Sequence, residues 1–336
     1  MRNILLATTA LLLLLPMQSV AQDSVESEGD VVESSEETPE AEEKLPFGGS
    51  VTLGSSVGMG TFANEGYAQR DLVVGFLGLG AYYKLADSQR LSAGLDMSKY
   101  LVSNADTGLG EDQETLLSDA YLTYSYSSIW SDDDLGLSLS GSLRTFFPTS
   151  KYSQYATKIM GVNPYATLSG TWSWFSARYT LLYTHNFYEY DHPGVESDGS
   201  QVACINRTEV ESGMCFAGGY ANSQFSVGNS LSLGFKVIDE LSFALTYALI
   251  HGFGFDNYPE EDEFTAENAV PGKRQRDVSQ GVVSAAYKAH KYVSIGLSLS
   301  TVQPPKTADA KGFRFPFFDS SANNFTTIGL SATASY

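Results

Sequence analysis

An all-β chain closed into an antiparallel barrel of about twelve membrane-crossing strands is the architecture this sequence predicts, in an up-and-down order. Three observations predict it. Long segments alternate strictly between greasy and small polar residues, aromatic residues recur ten positions apart near the ends of those segments, and the connections alternate between short and long along the whole chain.

The N-terminus sets the compartment. Arg2 precedes the apolar run "ILLATTALLLLLP" and then "QSVAQ", with small residues at Ser19 and Ala21. This pattern predicts a secretory signal peptide over residues 1–21, cut before Gln22. This apolar run of 13 residues falls short of a membrane-spanning helix, which needs roughly 20. No cysteine sits at the cleavage site to carry a lipid.

Residues 22–44 hold ten acidic residues and almost nothing to bury, so they read as a disordered segment left in the periplasm. Much of the net charge of −19 is a property of this segment. The acidic balance excludes a nucleic-acid partner.

The remaining residues, 45–336, form one barrel domain. In "QFSVGNSLSLGFKV", Phe225, Val227, Leu231, Leu233, Phe235 and Val237 share one face, and Ser226, Gly228, Ser230, Ser232, Gly234 and Lys236 share the other. "LSFALTYALIHGFGF" repeats the pattern from Leu241 to Phe255. Alternation alone fits a soluble sandwich as well, and length and aromatic placement decide against it. Phe225 and Phe235 are ten residues apart, as are Phe243 and Phe253. Ten tilted residues rise roughly 23 Å, close to the apolar band of about 25 Å between aromatic girdles.

The segments run about 49–60, 72–85, 90–101, 116–130, 134–147, 159–174, 176–189, 222–237, 241–254, 276–289, 292–303 and 324–336. Short connections at 86–89, 131–133, Phe175, 238–240 and 290–291 alternate with long ones at 61–71, 102–115, 148–158, 190–221, 255–275 and 304–323. The short set is expected at the periplasmic side and the long set outside. The last segment runs to Tyr336 with no tail, which predicts that it pairs with the first strand and leaves no open edge in lipid.

Taken together, the export signal, the alternating strands and the terminal aromatic resemble bacterial outer-membrane β-barrel proteins, and among these the small porin-type channels. The resemblance covers nearly the whole mature chain and implies a bacterial outer-membrane location. It further implies contact with outer-membrane lipid and lipopolysaccharide, and Tyr336 as the signal read by the barrel-assembly machinery. Ala334 and Ser331 stand where a second aromatic and a glycine are common in that family.

The inward parity is mostly Ser, Thr and Gly, with charges at Asp96, Asp119, Arg144, Arg178, Lys236 and Lys288. Small polar linings tolerate water, so a narrow, partly wet lumen is expected. The bland reading of these charges is that they pair with one another to hold the barrel closed. Two inward arginines do not make the arginine track that lines the acidic-sugar channels this chain resembles, so a neutral or weakly polar solute is expected.

Two outer connections stand out. "KGFRFPFFDS" gathers Phe313, Phe315, Phe317 and Phe318 around Arg314 and Pro316, a density of exposed aromatics that must plug, pack or meet a ligand or lipid. "FDNYPEEDEFTAEN" clusters Asp256, Glu260, Glu261, Asp262 and Glu263 without the spacing of a calcium loop, so a solvated acidic face is favoured over a Ca²⁺ site. Cys204 and Cys215, the only cysteines, read as one disulfide capping the 190–221 connection.

No catalytic or metal site, and no cofactor, is expected. His185, His192, His251 and His290 fall in no recognisable hydrolase motif, and "GFLGLG" at 75–80 is glycine alternation inside a strand, with no helix after it to hold phosphate. The function expected is a passive channel for small solutes narrowed by the aromatic loop. The alternatives are a blocked barrel whose loops bind at the surface and, third, an outer-membrane hydrolase using His251.

Overall fold

A computed structural model describes residues 46–62, 73–102, 115–191, 194–196, 214–216, 221–257, 272–307, 311–315, 317 and 325–336. Residues 1–21, read from the sequence as an export signal, the acidic segment 22–44, Cys204, Phe318 and the carboxylates Glu260 to Glu263 lie outside the described residues.

Among the described residues fifteen strands follow in order: β1 (Phe47–Gly58), β2 (Val73–Ala86), β3 (Gln89–Val102), β4 (Thr115–Leu117), β5 (Ala120–Asp132), β6 (Leu137–Phe147), β7 (Lys158–Trp172), β8 (Phe175–Tyr188), β9 (Gly194–Glu196), β10 (Met214–Phe216), β11 (Ser223–Ile238), β12 (Leu241–Asn257), β13 (Gly272–His290), β14 (Val293–Gln303) and β15 (Phe325–Ser335). Except for the β9–β10 pair, which stands apart, they form one antiparallel sheet in chain order. With β4 and β5 both pairing β3, they make twelve staves.

The ring is closed by β1 against β15, from Ser50 opposite Ser335 to Gly58 opposite Thr327. Tyr336 completes the seam. Its N–H donates to the Gly49 carbonyl at 2.9 Å and its carbonyl accepts from the Gly49 N–H at 2.9 Å. Both backbone groups of Tyr336 are therefore held by β1, and among the described staves no edge is left open between β1 and β15.

The greasy parity faces outward. Leu297 and Leu330 are 54% and 55% exposed, with Leu53, Leu181, Leu231 and Leu245 on the same outer surface. An exposed aliphatic wall encircling a closed sheet is the surface a bilayer solvates. Aromatic rings bound it at both ends. Phe225 stacks on Phe253 at 4.8 Å at the loop end. At the turn end Phe175 meets Phe235 at 5.4 Å and Trp172 stacks on Phe175 at 5.8 Å. Tyr336 joins that lower ring, 6.1 Å from Tyr292.

Four departures from the sequence reading matter. The stave expected as one run over 116–130 is broken, because the register with β3 moves from Met97 opposite Leu117 to Gly94 opposite Tyr121. One extra residue is thereby accommodated at Ser118–Asp119, a bulge that turns a side chain out of the ladder. The turn expected at Phe175 lies instead at Ser173–Trp174, with Phe175 opening β8 opposite Trp172. The 148–158 connection contains a short helix, α1 (Lys151–Tyr155). Finally, at the loop end of β13 to β15 the outward parity turns polar and is covered by protein: Ser279, Thr301, Gln303 and Thr326 are all buried. There Thr326 donates to Thr301 Oγ1 and Ser279 to the Gln303 carbonyl, both at 3.0 Å.

Candidate functional site: the lumen and its mouth

The inward face has two regions of different chemistry. Much of the wall is a lattice of hydroxyl groups bonded across neighbouring strands. Thr52 meets Thr333 at 2.9 Å, Ser138 meets Ser169 at 2.9 Å, and Ser142 donates to Ser125 at 3.0 Å. Thr167 and Thr180 meet at 3.0 Å, and Ser232 and Thr246 at 2.9 Å. These neutral groups satisfy one another and can still exchange bonds with water, so this part of the wall is polar without a strong field.

At three places on the wall a ring lies over a glycine of the next strand. Tyr82 lies over Gly48, Phe76 over Gly54 and Tyr121 over Gly94, and a Cβ at any of the three glycines would fall inside the ring. The rings in turn carry the cations. Arg90 stacks 4.0 Å above Tyr82, and Arg144 stacks 4.5 Å above Tyr121.

Towards the loop end the inward residues converge. Arg144 is 3% exposed and donates from Nε to Thr123 Oγ1 at 3.0 Å. Phe146, 6% exposed, lies beside it on β6, 6.3 Å edge-on to Tyr121, and takes the Lys158 ammonium 5.5 Å over its ring. Asn163 is also buried, and donates to Thr184 Oγ1 at 2.7 Å. Leu182, Ile250, Val282, Val302 and Phe325 are buried on the same inner parity.

Asp119, released by the bulge, organises the mouth. Its Oδ1 accepts from the Ser150 N–H at 3.1 Å and from Ser150 Oγ at 2.6 Å. Its Oδ2 accepts from Ser153 Oγ at 2.5 Å and pairs with Lys158 Nζ at 3.0 Å. Ser150 also caps α1 by accepting from the Ser153 N–H at 3.1 Å. The helix folds inward, and its Tyr152 packs, as does Val74 of β2, against the cluster of Tyr100 on β3 and Leu116 on β4. At the other end of the segment Asn222 donates to the Ala156 and Tyr190 carbonyls, each at 2.9 Å.

Of the six inward charges read from the sequence, Asp119 and Arg144 belong to this mouth. Asp96 stands opposite Gly78, and its backbone N–H donates to Ser118 Oγ at 2.9 Å. Arg178 sits on β8 opposite Ser169 and Ser232. Lys236 and Lys288 lie at the turn end. Lys236 pairs with Asp239 at 2.7 Å, and its hydrogen bond and charge hold the exposed Asp239 carboxyl below its ordinary pKa. Lys288 is exposed, and its N–H donates to the Glu240 carbonyl at 2.7 Å. The ion partners of Asp119 and Lys236 both come from outside the six. The sequence reading passed over Lys158, Arg90 and the inward rings, of which only the parity of the rings on β2, β5 and β6 gave a signal.

The aromatic segment forms a small hairpin, with Lys306 bridged to Phe313 and the Arg314 N–H donating to the Pro305 carbonyl at 2.9 Å. Arg314 is buried at 8% exposure, whereas Phe313 and Phe315 are 62% and 66% exposed. Phe317 has a left-handed backbone, φ 72°. Cys215 stands in β10 opposite Val195.

His251 lies on the outward parity, its Nδ1 2.9 Å from Asp277 Oδ1, and Gln275 donates to the same oxygen at 2.9 Å. Among the described residues no group of three or more His, Cys, Asp or Glu side chains is arranged to hold a metal ion.

No protein-family profile matches the chain, and the comparison with curated proteins returns no match. Solved structures do match. An outer-membrane channel from Pseudomonas putida F1 superposes with a TM-score of 0.52 at 13% identity, over 90% of this chain and 100% of that one. The NanC porin gives 0.47 at 8% identity, over 84% of this chain and 98% of that one. The KdgM porin, solved with disordered oligogalacturonate, gives 0.41 at 9% identity, over 85% and 99%. At these identities the likeness speaks for the fold alone. Its closed ring of twelve antiparallel staves, aliphatic outer wall and paired aromatic girdles give this chain the fold of an outer-membrane β-barrel protein.

Proposed function

We propose that the protein is a passive channel of the bacterial outer membrane for small neutral or weakly polar solutes. The observation that carries this reading is the hydroxyl lattice of the inner wall, which offers water and neutral solutes exchangeable hydrogen bonds from eight strands and few charges. Near the mouth a buried, aromatic-backed Arg144 stands beside Lys158, whose charge is paired by Asp119, rather than in a track of cations.

In this reading the chain is exported by its signal peptide, inserted by the barrel-assembly machinery through its terminal strand, and surrounded by lipid and lipopolysaccharide. The exposed rings of Phe313 and Phe315, with Phe317 and Phe318, narrow the entrance or receive the apolar face of a solute. Cys204 and Cys215 staple the outer cap.

A second reading, a blocked barrel that works through its surface loops, is favoured by the near-complete burial of inward residues at the loop end, Phe146 and Arg144 above all. Planar bilayers separate the two. Stepwise conductance of the purified protein, with swelling of proteoliposomes in neutral sugars faster than in charged solutes of the same size, is the expected result. Absence of conductance in the intact chain and in a variant lacking 311–318 would establish the blocked barrel. The hydrolase reading rests on His251 and its Asp277 partner; it predicts lipid or peptide turnover that His251→Ala abolishes.

A further inference from the structure

We propose that the segment Thr149–Lys158, with α1 at its centre, is the gate of this channel, and that Asp119 is the residue that positions it across the mouth. The proposal rests on the channel reading above and names the part of the mouth that opens.

A connection between adjacent staves has no need to enter the barrel, yet this one, between β6 and β7, sends a side chain as far as β3 and β4. Its Tyr152 reaches the inward-facing Tyr100 and Leu116 of β3 and β4. What keeps it there is unusually concentrated. Four hydrogen bonds from Ser150, Ser153 and Lys158 converge on the single carboxylate of Asp119, with side chains only 12% exposed in the Asp119–Lys158 pair. Thr149 adds a link at the bulge, donating to the Ser118 carbonyl and accepting from the Ala120 N–H, both at 2.8 Å.

The segment has little stability of its own. A helix of five residues is far below the length that holds together in water. It is followed by Thr157 in the left-handed region, φ 56°, a conformation unfavourable to a β-branched residue and sustained by its surroundings. The Glu189 N–H donates to the Thr157 carbonyl at 2.9 Å, and Asn222 holds Ala156. The far end is thus a fixed hinge at Glu189 and Asn222, beside β8 and β11, and the near end is a latch centred on Asp119 and supported by Thr149. Loosening the latch lets α1 swing off the inner wall and widens the mouth without touching any membrane-spanning stave.

The test compares three folded proteins in planar bilayers: the full chain, Asp119→Asn, which keeps the shape but gives up the charge that pairs Lys158, and a variant with 151–155 replaced by two glycines. Retention of the heat-modifiable electrophoretic band shows that each barrel is closed. The gate predicts that the shortened segment raises single-channel conductance by about twofold or more, and that Asp119→Asn gives frequent excursions to that higher level. Conductance and noise unchanged in both variants, against a conducting full chain, would overturn the gate while leaving the channel standing. No conductance in any of the three would sink the channel reading and the gate with it.

Discussion

Tyr121 can lie across β3 only because position 94 carries no side chain, and Arg144 can stack at 4.5 Å only because Tyr121 lies there. A chain of three residues on three strands thus places a buried cation by giving up one Cβ. Gly94→Val therefore has a definite expected outcome. It displaces the ring and costs about 1–3 kcal/mol through overpacking, read as a lower urea midpoint for the micelle-folded protein. Gly75→Ala is the matched control, since the nearest atom to its new Cβ would be Leu101 Cδ1 at an ordinary 3.6 Å. No loss of stability is expected there, because alanine restricts the unfolded chain more than glycine does.

At the scale of an element, a stave has two faces in two solvents, and adjacent residues should answer to different rules. On β14, Leu297 faces outward and Ser298 faces the lumen opposite Gly329 and Ser284. Leu297→Arg is expected to cost about 2–4 kcal/mol, the penalty of an arginine near the bilayer midplane. Ser298→Arg should leave stability closer to the parent and, in the proposed channel, shift the reversal potential towards anions. The closing stave divides its labour differently. Its hydrogen bonds to Gly49 are backbone bonds, so Tyr336→Ala keeps the seam and removes the ring that sits by Tyr292. Less folded protein in the envelope fraction, with unchanged conductance of what does assemble, is the expected outcome. Deleting 333–336 removes the pairing itself and should abolish the closed, heat-modifiable form.

For the whole molecule, the barrel and its mouth obey different logic. The staves are held by a continuous ladder in which each pairs two neighbours, and the ring tolerates local change. The mouth depends on contacts between segments far apart in sequence, such as Asp119 with Lys158 and Asn222 with Ala156. Deleting 311–318 should therefore leave the folded fraction near that of the parent while altering conductance or solute preference if the exposed Phe313 and Phe315 flank the entrance. An unchanged conductance with reduced partition into lipid would place those rings in the membrane interface instead.

The alternation from Phe225 to Val237 was enough to put each residue of β11 on its face, because a strand has a period of two and a bilayer rewards only one parity. The even number of staves followed from connection lengths, and closure from a terminal strand that could not leave its edge in lipid. What the sequence could not show is the bulge at Ser118–Asp119, since two polar residues after Leu116 and Leu117 read equally well as an ordinary strand end. Nor could it show that Lys158 would meet Asp119, or that Tyr152 would turn inward onto Tyr100. Periodicity is a local signal carried by neighbours in the chain. The partner of a mouth residue is chosen only once the ring has closed and brought distant segments within hydrogen-bonding distance.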